Sequence, residues 1–458
     1  MMGALALRAI AAELNTTVAG DDRSITSVTI DSRQVRTGDL YVALRGERFD
    51  GHDFVADVAA KGAVAAIVQD TSAAPLPQLL VDDTRVALGL VARMNRRQFT
   101  GPLIGITGSA GKTTCKEMLA AILAQCGATL ATHGNLNNEI GVPLTLLRLA
   151  PTHRYAVIEM GASRSGDIAY LCRFAEPDIA IVTAALPAHL EGFGSVNAIA
   201  ATKGEIFAGL REHGTAIINA DSEYETLWRR LAGDRRVLTF GFDKAAMISA
   251  SHIVRDAVGV RFTLHTPQGD ASIAMSLLGA HNVRNALAAA AAAIAAGAEL
   301  DQIRAGLAAV KSMPGRLHLC RGIHGESVID DCYNANPGAV KAAIDVLAEY
   351  TGVRRLIIGN MAELGPTAEQ LHRDVAAYAA TRGIDELWCV GPYASAQVDE
   401  YARHSASVRA RAFADNAAVI DAYRAEQIPA VVLIKGSRSA AMEIIVAALC
   451  GHAITEGH

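Results

Sequence analysis

Three stretches of this chain differ in how apolar and polar residues alternate. The opening MMGALALRAIAAELN spaces its apolar residues as a helix does. Arg8 and Glu13 lie inside and after the apolar run, which predicts an amphipathic first helix rather than a secretion signal. Strand-like runs follow in SITSVTIDSR and GDLYVAL, then a helix in DFVADVAAKG and a strand in AVAAIVQD. Residues 1–99 therefore read as a small α/β unit. From Pro102 the texture changes to short apolar runs separated by helical spacing: PLIGIT, YAVIEMG, PDIAIVTAA and GTAIINA. Strands buried on both faces give such unbroken runs, so residues 100–316 are predicted to form a central parallel sheet with helices on both faces. Within that unit, 245–280 alternate with period two, as a small antiparallel insertion would, and 282–310 are alanine-rich helix. The segment SMPGR at 312–316 punctuates the chain. A second series, SVIDD, RRLIIGN, ELWCVG and PAVVLIKG, then predicts a C-terminal Rossmann-like α/β unit over 317–458. The expected class is α/β, in three units with short connections.

Composition narrows the partners. The 458 residues suit roughly three domains at about 150 residues each. With 42 Lys+Arg against 47 Asp+Glu the net charge is −5, which argues against nucleic acid as the main partner. The alanine-rich run at 286–298 is too short to cross a bilayer, so no membrane insertion is expected. Seven scattered cysteines without a CxxC pair read as idle thiols in a reducing compartment, and the cytoplasm is the expected location.

The strongest chemical signal is the segment TGSAGKTT, residues Thr107, Gly108, Ser109, Ala110, Gly111, Lys112, Thr113 and Thr114, between an apolar strand and a helix. Glycines let backbone N–H groups turn inward around phosphates, and the helix N-terminus adds positive potential. Lys112 would reach the terminal phosphates and Thr113 would offer its hydroxyl to Mg²⁺. The commonest spacing of such loops puts a glycine where this chain has Ile106. A nucleotide triphosphate site is predicted. No Asn-Lys-x-Asp guanine reader occurs, which disfavours a switch GTPase, whereas a small-molecule kinase stays open on the loop alone. Downstream, Glu159 ends a predicted strand at the carboxyl edge, where open parallel sheets bind ligands. His189 follows the next strand, and Lys203 starts a helix. Taken singly, each could be an ordinary surface charge or loop residue.

Together these motifs resemble the Mur ligase family, ATP-dependent amide-bond ligases of peptidoglycan precursor synthesis, over nearly the whole chain. That family's ATP loop has no glycine at the position of Ile106. The resemblance implies ATP and two Mg²⁺ ions, with Glu159 and His189 as magnesium ligands and Lys203 as a lysine that many members carry as a carbamate. GAHNVRNALAA matches an H-N-x-x-N element that puts Asn282 and Asn285 near adenine. Arg316, and Asp331 in DDCYNANP, match nucleotide contacts from a closing C-terminal domain. Lys112, Lys203, His189 and Arg316 would then carry the catalysis.

GNLNNEIGVPLTLLRL, AHLEGFG, DDCYNANP and KGSRSAAME resemble the branch that adds D-alanyl-D-alanine to UDP-MurNAc-tripeptide. A branch adding a single amino acid, diaminopimelate or lysine, shares the N-terminal pattern DSRQVRTGDLYVALRGERFDGHDF. In the implied division of labour, residues 1–99 hold the uridine diphosphate end through Ser32, Arg33, Asp50, Gly51 and His52. Asn135, Asn137 and Asn138 face the muramoyl-peptide. Asn334, Asn336, Lys435, Ser437 and Arg438 serve the peptide substrates. Asn360, in GNMAELG, stands where aspartate is expected of many relatives. A monomer is expected.

Overall fold

The computed structural model describes residues 2–188, 190–256, 259–405, 409–426 and 430–451. Its centre is a six-stranded, all-parallel sheet in the order Arg236–Phe240, Thr215–Asn219, Ile179–Val182, Leu103–Thr107, Tyr155–Glu159, Thr129–Ala131. The predicted apolar runs are its four inner strands. The two edge strands lack a comparable run and were not anticipated. On one face the helix Ala280–Ala295 lies over Ile104, Ile106, Ile181 and Ile217, with Ala286 to Ala293 buried throughout. Alanine's small side chain lets this helix approach both the sheet and the helix Lys112–Ala124. The other face is covered by Val196–Ala208 and Asp167–Ala175, whose Ile206, Phe207 and Phe174 fill a second core.

The N-terminal unit holds a four-stranded parallel sheet, Val28–Thr29, Leu40–Val42, Ala65–Val68 and Gln78–Leu80, plus an antiparallel pair, Leu5–Ala6 with Ser24–Ile25. The first helix spans Leu7–Glu13 and buries Leu7, Ile10 and Ala11. A longer helix, Thr84–Gln98, starts where the Asp83 carboxylate accepts the Arg85 and Val86 N–H groups. Near its end the buried Arg96 donates to the carbonyls of Phe99, Ala175 and Glu176 and, at 2.7 Å, to the Asp178 carboxylate. Those bonds fasten the unit to the central one.

Three antiparallel strands, Ser249–Asp256, Gly259–Thr266 and Gly269–Met275, form the insertion. The C-terminal sheet runs His318–Arg321, Ser327–Asp331, Ala430–Lys435, Val353–Ile358, Glu386–Val390, Ala410–Phe413, parallel except for its first strand. From Ser327–Asp331 the chain skips one position to Val353–Ile358, and Ala430–Lys435 later fills the gap, so the carboxyl ends of Ser327–Asp331 and Ala430–Lys435 open towards one crevice. All seven cysteines are free thiols. Among the described residues no helix is long and apolar enough to cross a membrane.

Candidate active site

The phosphate loop turns because two of its glycines take backbone conformations other residues resist. Gly108 has φ +151° and Gly111 φ +80°. A Cβ on Gly108 would sit 1.9 Å from Thr183 Oγ1, and one on Gly111 would sit 2.5 Å from Asn285 Oδ1. Thr183, just past the neighbouring strand, straps the loop by donating to the Ala110 carbonyl at 2.6 Å. Ser109 adds a second strap: its N–H reaches the Ala184 carbonyl and its hydroxyl the Leu186 carbonyl. Lys112 folds back to donate to the Gly108 carbonyl at 2.8 Å. Burial lowers its pKa, the Arg316 charge adds to that, and Glu159 opposes it.

Around this loop opens a cavity of about 660 Å³. The central unit contributes Ser109 to Thr114, Asn135, Asn137, Asn138, Glu159, Asn282 and Asn285; the C-terminal side adds Arg316, Asp331, Asn334, Asn336 and Lys435. Residues 203 positions apart meet here, since Arg316 donates to Thr113 Oγ1 at 2.9 Å. Its guanidinium lies 4.3 Å from the centre of the Tyr333 ring. Neighbouring acids shape its turn: Asp330 accepts the Gly315 N–H at 2.7 Å and Asp331 the Leu317 N–H at 3.1 Å. Asp331 is also paired with Lys435 at 2.6 Å. Burial raises the Asp331 pKa, with Lys435 opposing.

Glu159 is almost wholly buried. Asn137 Nδ2 donates to its Oε1 at 2.8 Å, while Oε2 is buried without a hydrogen-bond partner. Lys203, on the helix Val196–Ala208, is 2% exposed and does not line the cavity. Burial first, then the Lys112 charge, bring its pKa down to about 7, with Asp167 opposing. Its Nζ lies 5.8 Å from the Phe193 ring centre. His189 lies outside the described residues.

Family models match this architecture in three places. The Mur ligase middle domain matches residues 106–293, the Mur ligase, glutamate ligase domain residues 315–438, and the Mur ligase family, catalytic domain residues 24–96. The chain is 46% identical over 440 residues to UDP-N-acetylmuramoyl-tripeptide–D-alanyl-D-alanine ligase of Escherichia coli (strain K12), across 95% of this chain and 96% of that one. The chain belongs to the Mur ligase family. This Mur ligase is also similar to solved structures of MurF from Acinetobacter baumannii (TM-score 0.92, 34% identity, 98% of this chain and 99% of that one). A MurF ligase from Thermotoga maritima in complex with ADP gives a TM-score of 0.82 at 29% identity, covering 92% and 96%.

Several residues singled out from the sequence have their polar atoms engaged within the Mur ligase fold. Lys435 gives its three N–H groups to Asp331 Oδ2, the Asp331 carbonyl and the Asn334 carbonyl. Asn336 caps the helix Pro337–Ala348 by accepting the Ala339 N–H, and Asn138 accepts those of Ile140 and Gly141. Arg438 pairs with Glu443, and the Ser437 hydroxyl is 3.2 Å from that of Ser439; neither residue lines the cavity. Thr107 is wholly buried beneath the loop, with its hydroxyl unpartnered.

The N-terminal candidates lie apart from this cavity. Arg33 holds Asp31 through two bonds of 2.9 and 2.8 Å, which keep that carboxyl at about 2. The Ser32 carbonyl accepts from Lys61 at 2.7 Å. His52 Nε2 accepts the Gln69 N–H at 2.8 Å, so the proton sits on Nδ1, 2.5 Å from Asp50 Oδ1. Asp50 also accepts from Arg45 at 2.8 Å. Gly51 packs so closely that a Cβ would meet Leu44 backbone at 2.8 Å. The cavity lining also includes polar residues that sequence reasoning did not single out, among them His281, Arg284, Tyr333, Thr183 and Asp167. His281 and Arg284 lie within GAHNVRNALAA and Tyr333 within DDCYNANP, which is the signal the sequence offers for them. Burial, then Lys435 and Arg284, bring the His281 pKa down to about 4.

Proposed function

We propose that this Mur ligase joins D-alanyl-D-alanine to UDP-MurNAc-tripeptide, with cleavage of ATP to ADP and phosphate, in peptidoglycan precursor synthesis. The observation that carries the reading is the chain-long likeness to the Escherichia coli ligase. An oxygen of the tripeptide's terminal carboxylate attacks the γ-phosphorus of ATP, the bond to the bridging oxygen breaks, and ADP leaves. The uncharged amine of the dipeptide then attacks the carbonyl carbon of the acyl phosphate. The tetrahedral adduct loses phosphate, and the nitrogen gives up its proton.

A carboxylate approaching a polyanion is repelled, so the site must supply positive charge. Lys112 and the phosphate-loop N–H groups do so, joined by Arg316, which the C-terminal unit brings against Thr113. Asn282 and Asn285 back the loop. Arg316 reaches Thr113 from the C-terminal unit, so that unit would cover nucleotide on the loop from one side and limit the access of water to an acyl phosphate.

The residues present fit a magnesium ion. The unpartnered buried oxygen of Glu159 and the hydroxyl of Thr113 are hard oxygen donors beside the phosphate loop. Bound there, the ion would screen the phosphate oxygens from the incoming carboxylate. Among the described residues no cluster of three His, Cys, Asp or Glu side chains forms a metal site. The family resemblance adds His189 as a further magnesium ligand and Lys203, as a carbamate, to position a second ion. With a pKa of about 7, much of the Lys203 amine is uncharged near neutral pH, the form that adds to carbon dioxide. A cytoplasmic monomer fits the same reading.

The test is phosphate release from ATP with UDP-MurNAc-tripeptide, with and without D-Ala-D-Ala. Release that requires the dipeptide and vanishes in Lys112→Ala is expected. Dependence on a single amino acid would select the sister activity, and a phosphorylated product without an amide would select a kinase.

A further inference from the structure

Three asparagines follow the strand Thr129–Ala131, and the structure gives them different work. Asn138 caps the next helix through its side chain. Asn137 instead turns its amide onto the Glu159 carboxylate, at 2.8 Å from Oε1. Two hydrogen bonds fix the backbone that carries that amide. The Asn137 N–H reaches the Asn135 carbonyl at 2.7 Å, and the Asn137 carbonyl accepts the Gly161 N–H at 2.8 Å. Gly161 leaves room for the side chain: a Cβ there would come within 2.9 Å of Asn137 Oδ1. Glu159 is fixed from its other end too, since its backbone N–H donates to Thr132 Oγ1 at 2.9 Å.

From this geometry we infer that Asn137 is a positioning residue for Glu159, not a contact for the muramoyl-peptide. The terminal torsion of a glutamate is soft. One amide donor on Oε1 fixes the carboxylate plane and leaves Oε2, buried and without a partner, as the oxygen presented to a divalent cation. Partners of this kind orient metal ligands, and their loss typically weakens metal binding by about 10- to 100-fold. The inference rests on the proposal that Glu159 holds magnesium.

Mn²⁺ serves as the probe, titrated into the full chain with ADP and followed by the electron paramagnetic resonance of the free ion. Asn137→Leu keeps the side chain's bulk and removes the donor. It should weaken Mn²⁺ binding about tenfold or more, while calorimetry without metal finds UDP-MurNAc-tripeptide affinity within twofold of wild type. Gly161→Ala, which displaces the same amide without deleting it, should weaken Mn²⁺ in the same direction, and it stands in if the leucine variant fails to fold. Unchanged Mn²⁺ affinity in the variants would overturn the inference, as would a parallel loss of substrate affinity. Glu159→Gln separates the two levels: if it binds Mn²⁺ as wild type does, Glu159 is not the ligand and the magnesium reading itself fails.

Discussion

Gly111 offers the sharpest test of how the phosphate loop is built. It caps the helix Lys112–Ala124 with φ +80°, a left-handed conformation that costs a residue with a Cβ about 1–2 kcal/mol. The added methyl of Gly111→Ala would lie 2.5 Å from Asn285 Oδ1 and 3.1 Å from Asn285 Nδ2. Asn285 is not free to retreat without loss. Its Nδ2 donates to Asn282 Oδ1 at 3.1 Å, and Asn282 in turn donates to the Leu278 carbonyl at 2.8 Å. Displacing one such bond costs about 1 kcal/mol. Together the two effects amount to about 2–3 kcal/mol, falling on the turn that aims the loop's N–H groups at phosphate. At about 1.4 kcal/mol per decade, nucleotide affinity should drop roughly thirty- to a hundredfold.

Titration calorimetry with ADP measures this directly, and a melting curve without nucleotide reports how much of the cost falls on stability instead. Gly134→Ala is the control. Its φ is +56°, and a Cβ there meets nothing within 4 Å, so it carries the backbone cost without the clash. ADP binding to Gly111→Ala within threefold of wild type, with an unchanged melting temperature, would refute the reasoning.

Two further outcomes are expected. His281, half-buried in the cavity wall with a pKa down to about 4, binds fewer protons folded than unfolded between about pH 4 and its ordinary 6.5. Its stability contribution is therefore lost as pH falls through that window, up to about 2 kcal/mol by pH 5. Urea unfolding at pH 7 and pH 5 should show a smaller drop for His281→Gln than for wild type, and equal drops would contradict the assignment. Lys203→Ala should lose activity that added short carboxylic acids partly restore if a carbamate acts there. Loss without any restoration in the phosphate-release assay would argue for the amine itself.

The parts of this protein that could be read before folding are those encoded within a few residues. The strand, loop and helix around Lys112 are contiguous, and glycine is required there by local backbone geometry. The inner strands of both large sheets announce themselves because strands covered on both faces carry unbroken apolar runs. The edge strands Thr129–Ala131 and Arg236–Phe240 escaped notice because three residues, or a run opening on Arg236, give too little pattern. In the N-terminal unit, folding brings Asp50 and His52 together with Arg45 and the Gln69 N–H, contacts that no local pattern in the sequence announces.

The sequence alone determined the class of the fold, the nucleotide loop and, through the order of its motifs, the family. Tertiary structure decided what each polar side chain faces. Asn137 meets Glu159 across 22 residues, Lys435 meets Asp331 across 104, and Arg316 reaches Thr113 across 203. Local propensity and periodicity act over a turn of helix or a pair of strand positions. Such pairings depend instead on strand order and on how two α/β units meet, and those are set by burial of apolar surface throughout the chain. That is why the residue types of the site were legible one by one, while the division between groups lining the cavity and groups holding them in place was not.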